Sequence, residues 1–335
     1  DAPPEVARVS PLEASTRYLT HLRQAWDAAH PEAPFDQQDV TVTIPASFDP
    51  AARELTPEAA RAAGYQHLTL LEEPQAALYH WIQGSAGQWR KEVAPGDIIL
   101  VVDVGGGTSD FSLIAVLERE GNLELHRVAV GDHILLGGDN MDLTLAHVVA
   151  RKLAAEGKTL DPWQMRALTH ACRSAKESLL TDASLDVQPI VVASRGTKLI
   201  GGSVRTELTQ TEVRATLLDG FFPVVDAAAR PATRTRGGLT QLGLPYAQDA
   251  GVTRHLAALL GRQAGATAEL EGFAGKIDAD ASFLHPTAVL FNGGVFKSGI
   301  LTERMLGTLN GWLGAEQAEA ARMLTGADMD LAVAR

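Results

Sequence analysis

Residues Ile98 to Val104 form an apolar run interrupted only by Asp103, and the run stops at three consecutive glycines, Gly105, Gly106 and Gly107. A Val- and Ile-rich run of this kind predicts a strand buried on both faces. The glycines allow backbone angles closed to other residues and leave the main-chain N–H groups bare, so an anion can sit against them. Thr108 adds a hydroxyl donor. Phe111 to Leu117 continues as apolar, β-branched sequence and then meets the turn signal Gly121-Asn122, so the loop joins two strands of a hairpin. A phosphate loop that opens a helix is excluded: no G-x-x-x-x-G-K-[ST] occurs, and Asp110 stands where G-x-G-x-x-G requires Gly.

A tight hairpin turn without a ligand also accounts for a glycine triplet. Asp103 argues against that reading, because a carboxylate near the end of an apolar strand is costly unless a cation or hydrogen-bond donors meet it. A phosphate-bound Mg²⁺ would supply the cation. Strand, D-x-G-G-G-T, strand resembles the second phosphate loop of the actin-like ATPase superfamily.

Around this loop the chain alternates helix and strand, which predicts an α/β class. Leu12, Leu19, Leu22 and Trp26 recur at helical spacing up to His30-Pro31, and Val40, Val42 and Ile44 alternate with threonines as a strand closed by Pro45. Arg53 to Ala63 reads as a helix ended by Gly64, His67 to Leu71 as a strand, and Pro74 to Ile82 as a helix. Glu72 and Glu73 fall at that last helix's N-terminus, where negative charge is favourable by a few tenths to about 1 kcal/mol. Later stretches read as a helix face of Leu168, Cys172, Ala175 and Leu179 within Ala171 to Leu180, and a hairpin of Ser184 to Val192 and Lys198 to Leu208 turning at Ser194-Arg195-Gly196. Helices over Thr211 to Arg230 and Val252 to Arg262 follow, with a short strand over Ala288 to Phe291.

Composition bounds the partners. A length of 335 residues with 45% hydrophobic content permits two lobes with separate cores. A net charge of -12 disfavours nucleic acid and anionic membrane as partners, since both need a cationic face. Cys172 is the single cysteine, which excludes an internal disulfide and fits a cytoplasmic, reducing compartment. No apolar stretch approaches the ~18 residues of a membrane span. The start at Asp1 without Met and the stop at Arg335 give the expectation of an excised fragment.

Several motifs in order carry a closer resemblance. Val42-Thr43-Ile44-Pro45-Ala46-Ser47-Phe48, Arg53, Glu73-Pro74-Gln75-Ala76-Ala77, Asp103 to Thr108, Gly137-Gly138-Asp139-Asn140-Met141-Asp142, the helix around Lys176, Asn292-Gly293-Gly294 and Asp330 to Ala334 together resemble the nucleotide-binding domain of the seventy-kilodalton heat-shock chaperones, the DnaK-like family. The resemblance implies an actin-like ATPase (ribonuclease H-like) α/β fold, two lobes around a nucleotide cleft with the first lobe incomplete. It divides the chain into 1–92 as part of the first lobe, 93–136 and 217–335 as the lower subdomain of the second lobe with an insertion about 231–285, and 137–216 as its upper subdomain.

The resemblance also implies roles. Gly105, Gly106, Gly107 and Thr108 would hold the β- and γ-phosphates of ATP, or the β-phosphate of ADP, with Gly137 and Gly138 beside them. Asp103 would carry Mg²⁺ through water, and Glu73 would orient the attacking water. Lys176, Gly293, Gly294 and Asp330 would serve the adenosine end, and Pro45 and Arg53 would relay nucleotide state to a peptide-binding domain. Unfolded polypeptide clients, J-domain proteins and nucleotide-exchange factors would be partners of the parent. Four positions depart from the pattern: Arg173 where Glu is usual, Glu177 where Arg is usual, and Leu180 and Val295 where Ser is usual. Arg173 and Glu177 are expected on a solvated helix face. The family's first phosphate hairpin and its phosphate-contacting Lys have no counterpart here, so the isolated chain is expected to turn over ATP little. A non-hydrolysing sensor or scaffold and an actin-like filament subunit are the competing readings.

Overall fold

The computed structural model describes residues 6–193, 203–232, 247–268, 270, 273, 281–325 and 329. The chain divides into two units, Asp1–His80 with Val333–Arg335, and Trp81–Ala332.

In the first unit, α1 (Pro11–Ala29) begins at Ser10, whose side chain accepts from the Glu13 amide, a standard way to satisfy an orphan N–H at a helix start. A short 3-10 turn, Phe35–Gln37, leads into β1 (Asp39–Ile44). Next comes α2 (Pro50–Ala62), three residues earlier than the spacing predicts, because Asp49 caps it and Pro50 occupies its first turn. Then β2 (His67–Glu72) pairs in parallel with β1, Asp39 opposite His67 and Ile44 opposite Glu72. Phe35, Ala60, Ala63 and Tyr65 form a small core against Leu19, Val40, Val42 and Leu68. Next comes α3 (Glu73–Gly84), within which the division between the units falls, after His80.

The second unit goes on to α4 (Trp89–Glu92) and is built on a five-stranded sheet whose strands lie in the order Asn122–Val130, Ser109–Arg119, Ile98–Val104, Ala288–Asn292 and Arg322–Met323. Strand β3 (Ile98–Val104) runs antiparallel to β4 (Ser109–Arg119), which runs antiparallel to β5 (Asn122–Val130). This is the hairpin pattern that the apolar runs and Gly121-Asn122 predict. Along β3, Ile98, Leu100, Val102 and Val104 enter one large core, while Ile99 and Val101 are buried on the opposite face. Burial on both faces explains why the run shows no polar alternation.

Two long helices follow, α5 (Gly138–Ala155) and α6 (Pro162–Thr181), and then the antiparallel pair β6 (Val187–Ala193) and β7 (Ser203–Thr209). The helix face of Leu168, Cys172, Ala175 and Leu179 is buried as the spacing predicts. However, α6 starts nine residues before Ala171, from a reciprocal cap between Asp161 and Gln164. The turn at Ser194-Arg195-Gly196 lies outside the described residues.

The helix expected over Thr211 to Arg230 is corrected. It consists of α7 (Gln210–Arg214) and a π-helical turn, Ala215–Phe221, and it stops there. Pro223 is the cause: it has no N–H to donate and it drives the preceding Phe222 out of helical angles. Phe222 accordingly sits at φ -126°, ψ 52°. Arg304 donates to the carbonyls of Leu218 and Phe222 that the termination leaves over, at 3.3 and 3.5 Å.

The final segment holds α8 (Val252–Arg262), matching its predicted span, and β8 (Ala288–Asn292), parallel to β3 with Asp103 opposite Asn292. A 3-10 turn, Gly294–Lys297, leads to α9 (Gly299–Ala315) and β9 (Arg322–Met323). Residues of α5, α8 and α9 enter the same core as the inner face of β3. Asp330 lies outside the described residues.

Candidate functional site

The hairpin turn between β3 and β4 is closed by the Gly105 amide, which donates to the Thr108 carbonyl at 2.9 Å. The other two carbonyls that matter point away from solvent: Gly105 O accepts from Gly138 N at 2.9 Å and Gly106 O from Asp139 N at 2.7 Å. The glycine loop is thereby docked on the first turn of α5. Such docking needs close backbone approach, and a Cβ at Gly137 would fall 2.6 Å from Gly106 O and 2.7 Å from Gly105 O. The amides of Gly106, Gly107 and Thr108 carry no hydrogen bond among the described residues, and Gly106 and Gly107 are exposed. Successive unsatisfied N–H groups of this kind form an anion-binding concavity.

The loop borders a cavity of about 400 Å³ within the second unit. Gly105, Gly106, Gly138, Lys176 and Gly294 all line it, so residues spread over more than 180 sequence positions converge as the motif order implied. Gly137 and Gly293 are not in the lining. Both are close-approach positions, since Gly293 has φ +86° and a Cβ there would meet the Val104 carbonyl oxygen at 2.3 Å. Gly107 and Thr108 complete the loop beside the cavity.

Asp103 sits at the end of β3, behind the loop. Its Oδ2 accepts from Asn292 Nδ2 at 2.6 Å, which identifies the donor that the sequence left open. Burial nevertheless holds its carboxyl above the usual carboxylate range, against the Asn292 hydrogen bond, and the nearby charge of Asp110 adds to the rise. Asp110 faces Asp103 across the hairpin, and His133 Nδ1 lies 3.2 Å from Asp110 Oδ1. This oxygen-rich, desolvated carboxylate fits a hard divalent cation, which takes one or two carboxylates together with phosphate oxygens and water.

Glu177 is exposed and the Arg173 side chain is 44% exposed, as expected of a solvated face of α6. Arg173 is nevertheless tied to α5, which the sequence reading did not foresee: its Nε donates to Asp142 Oδ2 at 2.7 Å, and its Nη2 pairs with Asp139 Oδ1. The Asp142 hydrogen bond is the main reason its guanidinium is held still more firmly protonated. Lys176 Nζ lies 2.7 Å from Asp142 Oδ1, and Asp142 is 1% exposed. Asp139 and Asp142 are three apart on α5, as Arg173 and Lys176 are on α6, and i,i+3 residues share a face. That matched spacing was a readable signal which the motif comparison passed over. Ser298 also lines the cavity with a buried hydroxyl that has no hydrogen-bond partner among the described residues.

Cys172 faces the core beneath this cluster. Burial first, and then Asp142, pushes its thiol up to about 12. The thiolate is the reactive species, so at pH 8 a thiol probe is expected to label the native chain at least about a hundredfold more slowly than the denatured chain. Its raised value also gives a sign: stability is retained below the unfolded pKa near 9 and falls as pH rises towards 12, because only the unfolded thiol ionises readily in that window. Equal labelling rates with and without denaturant would show Cys172 to be exposed.

In the first unit Pro45 follows β1, and its carbonyl accepts from the Phe48 amide at 3.2 Å. Arg53 Nη1 lies 3.3 Å from Glu72 Oε1, joining the first turn of α2 to the end of β2. Glu73 is the first residue of α3.

The family model described as Hsp70 protein matches residues 5–230. The chain belongs to the Hsp70 family. The matched span ends at residue 230, beyond the helix that Pro223 terminates. Similar curated proteins include the Chaperone protein HscA homolog of Burkholderia multivorans, 34% identical over 229 residues, covering 67% of this chain and 34% of that protein. The homolog of Burkholderia lata is 34% identical over 247 residues, covering 72% and 34%. The one from Burkholderia pseudomallei is 33% identical over 227 residues, covering 67% and 32%. The chain thus spans about a third of the length of the curated relatives it matches. The mixed α/β architecture is that of the Hsp70 and actin-like ATPase fold. No helix among the described residues is long and apolar enough to cross a membrane.

Proposed function

We infer that this Hsp70-family chain is part of the nucleotide-binding domain of an ATP-driven chaperone, and that its second unit takes the nucleotide. One observation carries the reading: three successive amides without a hydrogen-bond partner among the described residues, of Gly106, Gly107 and Thr108, belong to the loop whose Gly105 and Gly106 line the 400 Å³ cavity. These amides take the phosphates, and Gly138, Lys176 and Gly294 border the space for the adenosine end, with Asp330 as the family counterpart beyond them. Asp103 is the residue to hold Mg²⁺, directly or through water, and the ion when bound neutralises phosphate charge. The remaining work of phosphoryl transfer is positioning, which the fixed loop supplies. In the same reading Glu73 orients a water, and Pro45 and Arg53 transmit nucleotide state to a peptide-binding domain acting on unfolded polypeptides with J-domain and exchange-factor partners. Residues 1–92 then belong to the first lobe, 93–136 and 217–335 to the lower part of the second, and 137–216 to its upper part. A cytoplasmic setting fits this assignment.

A second reading, a nucleotide sensor without turnover, draws on the commitment of Arg173 and Lys176 to Asp142. Calorimetric titration with ADP, adenosine and inorganic pyrophosphate tests the phosphate role. ADP is expected to bind at least about tenfold more tightly than adenosine, the difference a charge-assisted hydrogen bond of ~1.4 kcal/mol would make. Equal affinities would remove the loop from ligand binding.

A further inference from the structure

The cavity beside the glycine loop contains two carboxylates that an anionic ligand would have to approach. Asp139 is the more exposed, with a side chain at 62%, and its Oδ1 lies 3.7 Å from where a Gly106 Cβ would be. That puts the negative charge directly against the loop assigned to the phosphates. A carboxylate so placed repels phosphate oxygens. Asp142 is deeper and is already met by Lys176 at 2.7 Å. Asp139 has one cationic partner among the described residues, Arg173.

The geometry points to Arg173 as a positioning and charge-screening residue for polyphosphate ligands: it fixes the Asp139 carboxylate beside the glycine loop and cancels its charge there. The inference rests on the nucleotide reading above and adds a residue that the family pattern fills with the opposite charge. Two details support it. Arg173 is anchored through Nε to the buried Asp142, leaving Nη2 for Asp139, so the guanidinium is a fixed bridge between α6 and the start of α5. The amide of Asp139 itself holds Gly106 O at 2.7 Å, so the position of Asp139 and that of the loop are mechanically joined.

The test compares ADP with adenosine on the full 335-residue chain. Arg173→Ala is expected to weaken ADP about tenfold while adenosine changes less than twofold, and raising salt should narrow the ADP loss as the exposed carboxylate is screened. Adding Asp139→Asn to Arg173→Ala should restore ADP binding to within about threefold. Asp139→Asn alone keeps the bridge to Asp142 and should strengthen ADP about threefold or more, and this variant decides the matter if Arg173→Ala does not fold. Arg173→Lys, which retains the charge, should stay within about threefold of the unmodified chain. Equal losses of ADP and adenosine, or no effect of Asp139→Asn on ADP in either background, would overturn the screening role and leave the nucleotide reading standing. An unmodified chain that binds neither ligand would overturn both.

Discussion

Gly293→Ala is expected to destabilise the second unit by about 3 kcal/mol or more, lowering its melting temperature by about 6 to 12 °C. Two independent costs add. Gly293 holds φ +86° and ψ 150°, a region essentially confined to glycine, where another residue stores about 1 to 3 kcal/mol of strain. A Cβ would also sit 2.3 Å from the Val104 carbonyl oxygen, 2.5 Å from its carbon and 2.7 Å from Asp103 Oδ1. These are backbone and buried atoms, so the overlap can be relieved only by separating β3 from β8. Gly294 is the internal control: nothing lies within 4 Å of its added Cβ, and Gly294→Ala should leave the melting temperature within about 2 °C. A Gly293→Ala chain that melts like the control would show that the loop is not held against Val104.

Asp103→Asn is expected to separate stability from cation use. Burial disfavours the ionised carboxylate, as its raised pKa records, so replacing it with a neutral amide that can still accept from Asn292 should raise the stability of the ligand-free chain by about 1 kcal/mol at pH 7. The sign can be followed with pH. A carboxyl raised above its ordinary value is most favourable when protonated, so the stabilising effect of the substitution should vanish below about pH 4, where wild-type Asp103 is itself neutral. The same change removes the charge that would hold Mg²⁺, so Mg²⁺ should strengthen ADP binding to the wild type but not to the variant. Urea unfolding across pH, with ADP titrations in and out of Mg²⁺, reads both effects. A variant that is less stable than wild type, or that retains the Mg²⁺ effect, would contradict the assignment.

How much of this was legible in the sequence depends on how local each determinant is. Strand β3 and its hairpin could be read because a both-faces-buried strand and a glycine turn are written in adjacent residues. The span of α8 was equally readable from Val252, Leu256, Leu259 and Leu260 on one face. Helix starts were read too late at Arg53 and Ala171, although Asp49-Pro50 and Asp161-Pro162 carry cap signals. The end of the Thr211 helix was missed because apolar spacing continues past Pro223, whereas a single proline decides the backbone there. The ion pairs of Arg173 were not legible for a different reason. Its partners Asp139 and Asp142 lie 34 and 31 residues away on another helix, and an i,i+4 view of α6 alone contains neither. Asn292 as the donor to Asp103 likewise depends on β8 lying parallel to β3 in register, a pairing across 189 residues.

The amides of Gly106, Gly107 and Thr108 are the phosphate site we propose. Amide hydrogen exchange of the whole chain with and without ADP and Mg²⁺ tests it most directly, because those N–H groups have no hydrogen-bond partner among the described residues. Protection concentrated at Gly106, Gly107 and Thr108, with a smaller effect at Gly138 and Asp139, is the predicted result. Binding of ADP that leaves these amides exchanging at their ligand-free rate would contradict it.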